Sequence, residues 1–283
     1  MKDLRSKVAL ITGGATGIGK ALALELAKDS MKIIIASTNK ERLDAAAEEI
    51  RKAGALEVLT IVCDVSDRNS VENLHAEAVK AFGFVDLLVC NSGVTTGGEF
   101  LNHRPADWSW VYDVVLNGVV HCVQLFYPDM VKKKSGHIVI VGSQAGMVPD
   151  WVTLHGPYTV SGNQYLAEFV ANKHTSQSAK SAVMALGAAL RPEAEGHGVG
   201  VSNIIVAGTL TEIIKSERSR PERYGDSLVS NVPKREARRI PAQDVAEMIV
   251  KGVKENKAWV ATHPELKAVT KDYFERILTA YDF

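Results

Sequence analysis

The sequence predicts an α/β protein whose sheet is parallel and covered by helices on both faces. Short apolar runs without polar alternation recur along the chain, from Val8-Ala9-Leu10-Ile11 to Val199–Val206, as strands buried on both faces require. A helical pattern separates each run from the next, which is the order of βαβ units. The first run passes through Thr12-Gly13-Gly14-Ala15-Thr16-Gly17-Ile18-Gly19 into a helix. That layout offers free backbone N–H groups, backed by a helix dipole, to a phosphate.

Taken in order, each element has its own signal. The first helix carries Leu22 and Leu26 on the face begun by Ile18, and Ile33-Ile34-Ile35-Ala36 is the second strand. Asn39 to Ala53 is helical, with Leu43, Ala46, Ala47 and Ile50 on one face and Gly54 as the stop. Val58 to Cys63, Val85 to Cys90 and His137 to Val141 are further strands. Asn69 to Phe82 and Asp107 to Val131 are the helices between them. A helix ending near Glu195 precedes the strand Val199–Val206. Pro241 to Asn256 is a helix, Ala258 to Ala261 a short strand, and Glu265 to Ala280 the last helix. No repeat or linker divides the 283 residues, so residues 1–283 read as a single domain.

Bulk properties narrow the function classes. Lys+Arg and Asp+Glu balance at 33 each, which predicts no general attraction to nucleic acid or an anionic membrane. The first residues lack a signal-peptide core, and no uninterrupted apolar run approaches a membrane span. Cys63, Cys90 and Cys122 have no metal-ligand spacing, so no metal is expected and a reducing cytoplasm suits them.

The glycine stretch is the first candidate site. Gly13 suits a tight turn, Gly17 a close approach to a pyrophosphate, and Gly19 close packing of helix on strand, with Thr16 and Ile18 between them. The second strand ends in Ser37-Thr38-Asn39 with Lys40 and Arg42 following. An acid there would bind the adenosine ribose and repel a 2′-phosphate. Its absence predicts NADP(H) as the preferred cofactor with NAD(H) as the alternative, although the same residues would also cap the next helix.

Several motifs in order then resemble the short-chain dehydrogenase/reductase family. Thr12–Gly19 is similar to its T-G-x-x-x-G-x-G signature, Asp64-Val65 to its adenine-contacting pair, and Cys90-Asn91-Ser92-Gly93 to its N-N-A-G motif. Asn117 resembles the Asn of its long helix, Gly142-Ser143 its catalytic Ser, and Ala207-Gly208-Thr209-Leu210 its P-G segment against the nicotinamide, with Ala207 replacing Pro. Arg220–Gly225 and His263–Leu266 look like the aryl-ether Cα-dehydrogenase branch. The resemblance implies a Rossmann-type doubly wound sheet and an oxidoreductase that interconverts a ketone and a secondary alcohol. It also implies a small-molecule carbonyl or alcohol substrate and a homodimer or homotetramer.

The chemistry asks for a Tyr to move the proton, a Lys ammonium to lower its pKa from about 10 and hold the ribose, and a Ser to polarise the carbonyl. The family sets Tyr and Lys one turn apart, as Y-x-x-x-K. This chain departs from that pattern. Tyr158 has Gly162 four residues on, whereas Lys180 has Ser176 four residues before it. Residues 163–179 therefore read as a helical insertion with Tyr165, Leu166, Phe169 and Val170 on one face. Either Tyr158 and Lys180 converge across it, or Tyr165 or Lys173 substitutes, or the pair is lost. The last case leaves a cofactor-binding sensor or scaffold, or non-redox chemistry such as epimerisation or dehydration. Residues 210–240 lack periodicity and form the expected substrate lid. Between Lys215 and Arg239 that lid has eight Lys/Arg against four Asp/Glu, which suits a solvated surface or an aryl carboxylate.

Overall fold

Seven parallel strands form the central sheet of a computed structural model that describes residues 1–148, 174–226 and 239–282, and the backbone of 158–160 and 163–165. They are β1 (Val8–Thr12), β2 (Lys32–Ser37), β3 (Glu57–Val62), β4 (Leu87–Cys90), β5 (Gly136–Val141), β8 (Val199–Ile205) and β9 (Trp259–Ala261). Their order, β3-β2-β1-β4-β5-β8-β9, reverses between β1 and β4. A doubly wound sheet opens its ligand crevice at that point, beyond the carboxyl ends of the strands.

Helices cover both faces, which explains the unalternating strands. On one face α1 (Gly17–Ala27), α2 (Lys40–Lys52) and α8 (Ala242–Lys254) pack on Ala9, Ile11, Ile33 and Ile35. The other face carries α3 (Arg68–Phe82), α4 (Pro105–Tyr112), α5 (Gly118–Lys133) and α7 (His174–Gly196), against Leu10, Ile34, Leu88 and Ile138. Successive strand residues thus enter opposite cores, and both must be apolar. The short α6 (Gln144–Met147) follows β5, and α9 (Lys267–Leu278) runs into a 3₁₀ turn, Thr279–Tyr281.

Two elements differ from the sequence expectation. The helix expected over Asp107–Val131 runs from Pro105 to Lys133 but contains a π-helical segment, Asp113–Asn117. By length and composition it would cross a membrane. Its residues Trp110, Val111, Val115, Val119, Cys122, Phe126 and Met130 are instead buried in the core. The helical insertion is also corrected. Asn163–Tyr165 (β7) pairs antiparallel with Tyr158–Val160 (β6), and the described helix α7 spans His174–Gly196. Tyr, Thr and Val favour an extended chain, so the apolar face does not start as a helix at Tyr165. Leu166, Phe169 and Val170 lie outside the described residues.

Candidate active site

The carboxyl ends of β1, β2, β4, β5 and β8 border one cleft with a cavity volume of ≈ 360 Å³. Its floor is the glycine loop. Gly13 and Gly17 have φ of +64° and +55°, which glycine adopts without steric cost. A Cβ on Gly19 would stand 2.3 Å from the Gly13 carbonyl oxygen, so helix α1 sits on the loop only because Gly19 has no side chain. Thr16 precedes α1 without capping it through its side chain. First-turn N–H groups therefore face the cleft beside Gly13, Thr16, Gly17 and Ile18.

The Cys90–Gly93 motif holds this loop in place. Asn91 donates from Nδ2 to Thr12 O at 2.9 Å and Gly13 O at 3.3 Å. The Thr12 hydroxyl accepts from the backbone N–H of Asn91 at 3.0 Å and of Ser92 at 3.1 Å. Strands β1 and β4 are thereby tied together at the switch point, with Ser92 and Gly93 on the cleft wall.

The end of β2 separates capping from cofactor recognition. Asn39 caps α2, accepting from the Arg42 N–H at 2.8 Å. Ser37 and Thr38 are not spent on that cap, and they line the cleft together with Asn39 and Arg42. Lys40 pairs instead with Asp44 at 2.7 Å. Beyond β3, Asp64 and Val65 line the same end. The Asp64 carboxylate accepts from the Ser66 hydroxyl at 2.6 Å and from Arg223 Nη2 at 2.8 Å.

The opposite end carries the candidate chemistry. Ser143 accepts from the Ala145 N–H at 3.1 Å, which leaves its own O–H to donate into the cleft. Lys180 Nζ donates to the Val141 carbonyl and stands by Gly93. Burial pushes its pKa down to about 8, against a smaller opposing effect of Cys90. Ser143 and Lys180 share this wall because Gly146 has no side chain: a Cβ there would lie 2.6 Å from the Lys180 carbonyl carbon. The Ser181 hydroxyl adds a bond to Gly146 O at 2.7 Å.

Ser176, one turn before Lys180, also lines the cleft and accepts from the Thr95 hydroxyl at 3.2 Å. The side chains of Tyr158 and Tyr165, and all of His155 and Lys173, lie outside the described residues. Asn117 is not brought to the cleft. It is exposed at the end of the π-helical segment and donates to Asp113 Oδ1 at 2.7 Å. Val114 of the same segment lines the cleft.

Past β8, Ala207, Gly208 and Thr209 line the cleft, while Leu210 is 57% exposed and turns away from it. The described part of the segment expected as a lid forms 3₁₀ turns at Ile213–Ser219 and Glu222–Tyr224. Arg218 reaches the cleft but is paired with Glu212 at 2.7 Å. Hydrogen bonds from Lys215 and Arg218 hold the Glu212 carboxyl down at about 2. The lid is moored by Arg220, which pairs with Asp107 at 2.7 Å with both side chains buried and lies 4.9 Å from the Trp110 ring. His263, from the far edge strand, completes the wall. Among the residues that sequence patterning left unassigned to the cleft, Thr95, Arg218 and His263 share no spacing with the glycine loop. They meet it only through the fold. Among the described residues no His, Cys, Asp or Glu group is arranged to hold a metal.

These residues fit a dinucleotide: a glycine-rich loop for the phosphates, hydroxyls and a cation at one end, a Ser and an ammonium at the other. The short chain dehydrogenase family model matches residues 7–161. The C alpha-dehydrogenase of Sphingobium sp. strain SYK-6 is 29% identical over 98% of this chain and 87% of its own length. A short chain dehydrogenase/reductase from Burkholderia phymatum in complex with NAD superposes with a TM-score of 0.84. It is 30% identical, over 99% of this chain and 97% of that one. The apo form of LigD from Sphingobium sp. strain SYK-6 gives a TM-score of 0.77 at 26% identity, over 98% of both chains. The branch resemblance drawn from Arg220–Gly225 and His263–Leu266 is borne out by these matches.

Proposed function

Because the chain belongs to the short-chain dehydrogenase/reductase family, we propose that it is an NADP(H)-preferring oxidoreductase interconverting an aryl ketone and its secondary alcohol. The observation that carries this reading is the placing of the Ser143 hydroxyl and the Lys180 ammonium on one wall at the end of the glycine-loop groove. The relatives support the substrate class through the C alpha-dehydrogenase match. They divide on the cofactor, since one solved relative holds NAD and another, from Sphingobium yanoikuyae, holds NADPH. The preference rests on Ser37, Thr38 and Arg42, which leave room for a 2′-phosphate and offer it a cation.

When bound, the nicotinamide gives or takes the hydride. This chain's residues do the rest. Gly13, Thr16, Gly17 and Ile18 hold the pyrophosphate, while Ser37, Thr38, Asn39, Asp64 and Val65 hold the adenosine. Asn91, Ser92, Gly93 and Thr209 hold the nicotinamide half. Ser143 donates its O–H to the substrate oxygen as negative charge develops there. Tyr158 moves the proton, and the Lys180 ammonium keeps its phenolate accessible and binds the ribose. Assembly as a homodimer or homotetramer belongs to the same reading. It is supported by Leu125, Tyr127, Leu186 and Leu190, apolar residues left partly open on α5 and α7.

One observation favours a second reading. Ser176 occupies the place one turn before Lys180 where the family has Tyr, and a Ser hydroxyl is a poor acid. A chain without a proton donor would bind cofactor as a sensor. Absorbance of NADPH against a panel of aryl ketones and alcohols separates the two. Activity should appear, and Tyr158→Phe should lower it about 10²–10⁴-fold with NADPH affinity kept. Lys180→Met should damage both turnover and binding, and binding by the parent should weaken as pH rises through about 8, where Lys180 loses its charge. Tight NADPH binding with no turnover of any ketone or alcohol would favour the sensor.

A further inference from the structure

Resting on the dinucleotide reading above, we propose that His263 is a positioning residue that fixes the nicotinamide end of the cleft through the Gly208 carbonyl. The segment it acts on is the one where Ala207 stands in place of a ring-stiffened Pro. The backbone there must be held from outside, and it is. Val206 O accepts from the Gln144 N–H at 2.7 Å, which couples the segment to the residue after Ser143. The Ala207 N–H reaches the Thr262 hydroxyl at 3.4 Å. Gly208 O accepts twice, from the Ile240 N–H at 3.0 Å and from His263 Nε2 at 3.0 Å. Two donors fill both lone pairs of that carbonyl. The peptide plane joining Gly208 to Thr209 is thereby set, and with it the face that Thr209 presents to the cleft.

His263 is itself held. It is buried, and Nδ1 lies 2.8 Å from the Thr262 hydroxyl. A carbonyl accepts only from a protonated nitrogen, so Nε2 carries the hydrogen, and in the neutral ring the Thr262 hydroxyl donates to Nδ1. The two residues directly follow the edge strand: β9 pairs Ala261 with Ile205, and the Thr262 N–H continues the ladder to Ile205 O at 3.1 Å. A strand at the rim of the sheet therefore reaches across to the segment that closes the cleft.

The test compares NADPH with 2′-phospho-ADP-ribose, which lacks the nicotinamide, in fluorescence and calorimetric titrations of the whole chain. His263→Leu should weaken NADPH about five- to tenfold, the size of one lost hydrogen bond, and dim the emission of the bound nicotinamide. Binding of 2′-phospho-ADP-ribose should stay within about twofold. His263→Gln, which restores an N–H near the position of Nε2, should recover most of the loss. If His263→Leu does not fold, His263→Phe gives the same comparison, because it keeps a ring of similar size and removes only the ring nitrogens. Equal weakening of both ligands, or no change in either, would overturn the role of His263. A parent protein that binds neither ligand would overturn the dinucleotide reading itself.

Discussion

The two ends of the cleft are built differently. The phosphate end, between β1 and β4, is main chain and absent side chains: Gly13, Gly17 and Gly19, tied by Thr12 and Asn91. The opposite end is side chains delivered from remote segments: Ser143 after β5, Lys180 from α7 and His263 from the rim. The first kind of site occupies one continuous stretch of sequence. The second exists only after folding. It follows that the phosphate end should break at a single added methyl group, whereas the opposite end should yield by degrees.

The largest effect is expected at Gly19. A Cβ 2.3 Å from the Gly13 oxygen must push α1 off the loop. Gly19→Ala should therefore lower dinucleotide affinity by about a hundredfold, near the upper end of what ~1–3 kcal/mol of overpacking gives. Titration with NADPH reads this directly. Affinity within twofold of the parent would mean that the loop has slack, and the contrast between the two ends would lose its basis.

That contrast also explains what was legible in the sequence. All seven strands of the central sheet were readable because a two-faced parallel sheet leaves an unbroken apolar trace. The glycine loop, Asn91-Ser92-Gly93 and Ser143 were readable because each follows a strand directly. Asn117 is exposed on a π-helical segment, and such a turn leaves no mark in composition. The Asn163–Tyr165 strand was read as helix because Tyr165 is spaced with Leu166, Phe169 and Val170 at helical intervals, while Asn163 and Gln164 carry no period of their own. His263 was quoted only as part of a branch motif. Its bond to Gly208 depends on the register of β9 against β8, which no local pattern encodes.

The next effect in size concerns the lid's mooring. Arg220 and Asp107 are 4% and 0% exposed, so removing Arg220 leaves a buried carboxylate held only by the Arg104 N–H at 2.8 Å and its guanidinium at 3.8 Å. Arg220→Met should cost about 3–5 kcal/mol in urea unfolding. Asp107→Asn added to it should return part of the loss, because the stranded carboxylate is then gone. An Arg220→Met protein as stable as the parent would show that Asp107 is already reached by water, and that the lid is held by Tyr224 and its 2.8 Å bond to Asp113 instead.

The smallest effect is expected where the lid touches the other end of the cleft. Arg223 reaches Asp64 at 2.8 Å, but their side chains are 48% and 23% exposed, so water and ions screen the pair. Such pairs contribute about 0–1 kcal/mol. Asp64 is also held by the Ser66 hydroxyl at 2.6 Å and does not depend on Arg223 for its orientation. Arg223→Gln should therefore change the affinity for 2′-phospho-ADP-ribose by less than about fivefold at low salt. The difference should vanish near 0.5 M salt, where the Debye length falls to roughly 4 Å. A tenfold or larger loss that persists in high salt would mean that the cofactor removes this pair from water on binding. In that case the lid belongs to the adenosine subsite as well as to the substrate end, and the boundary between main-chain and side-chain recognition runs through Asp64.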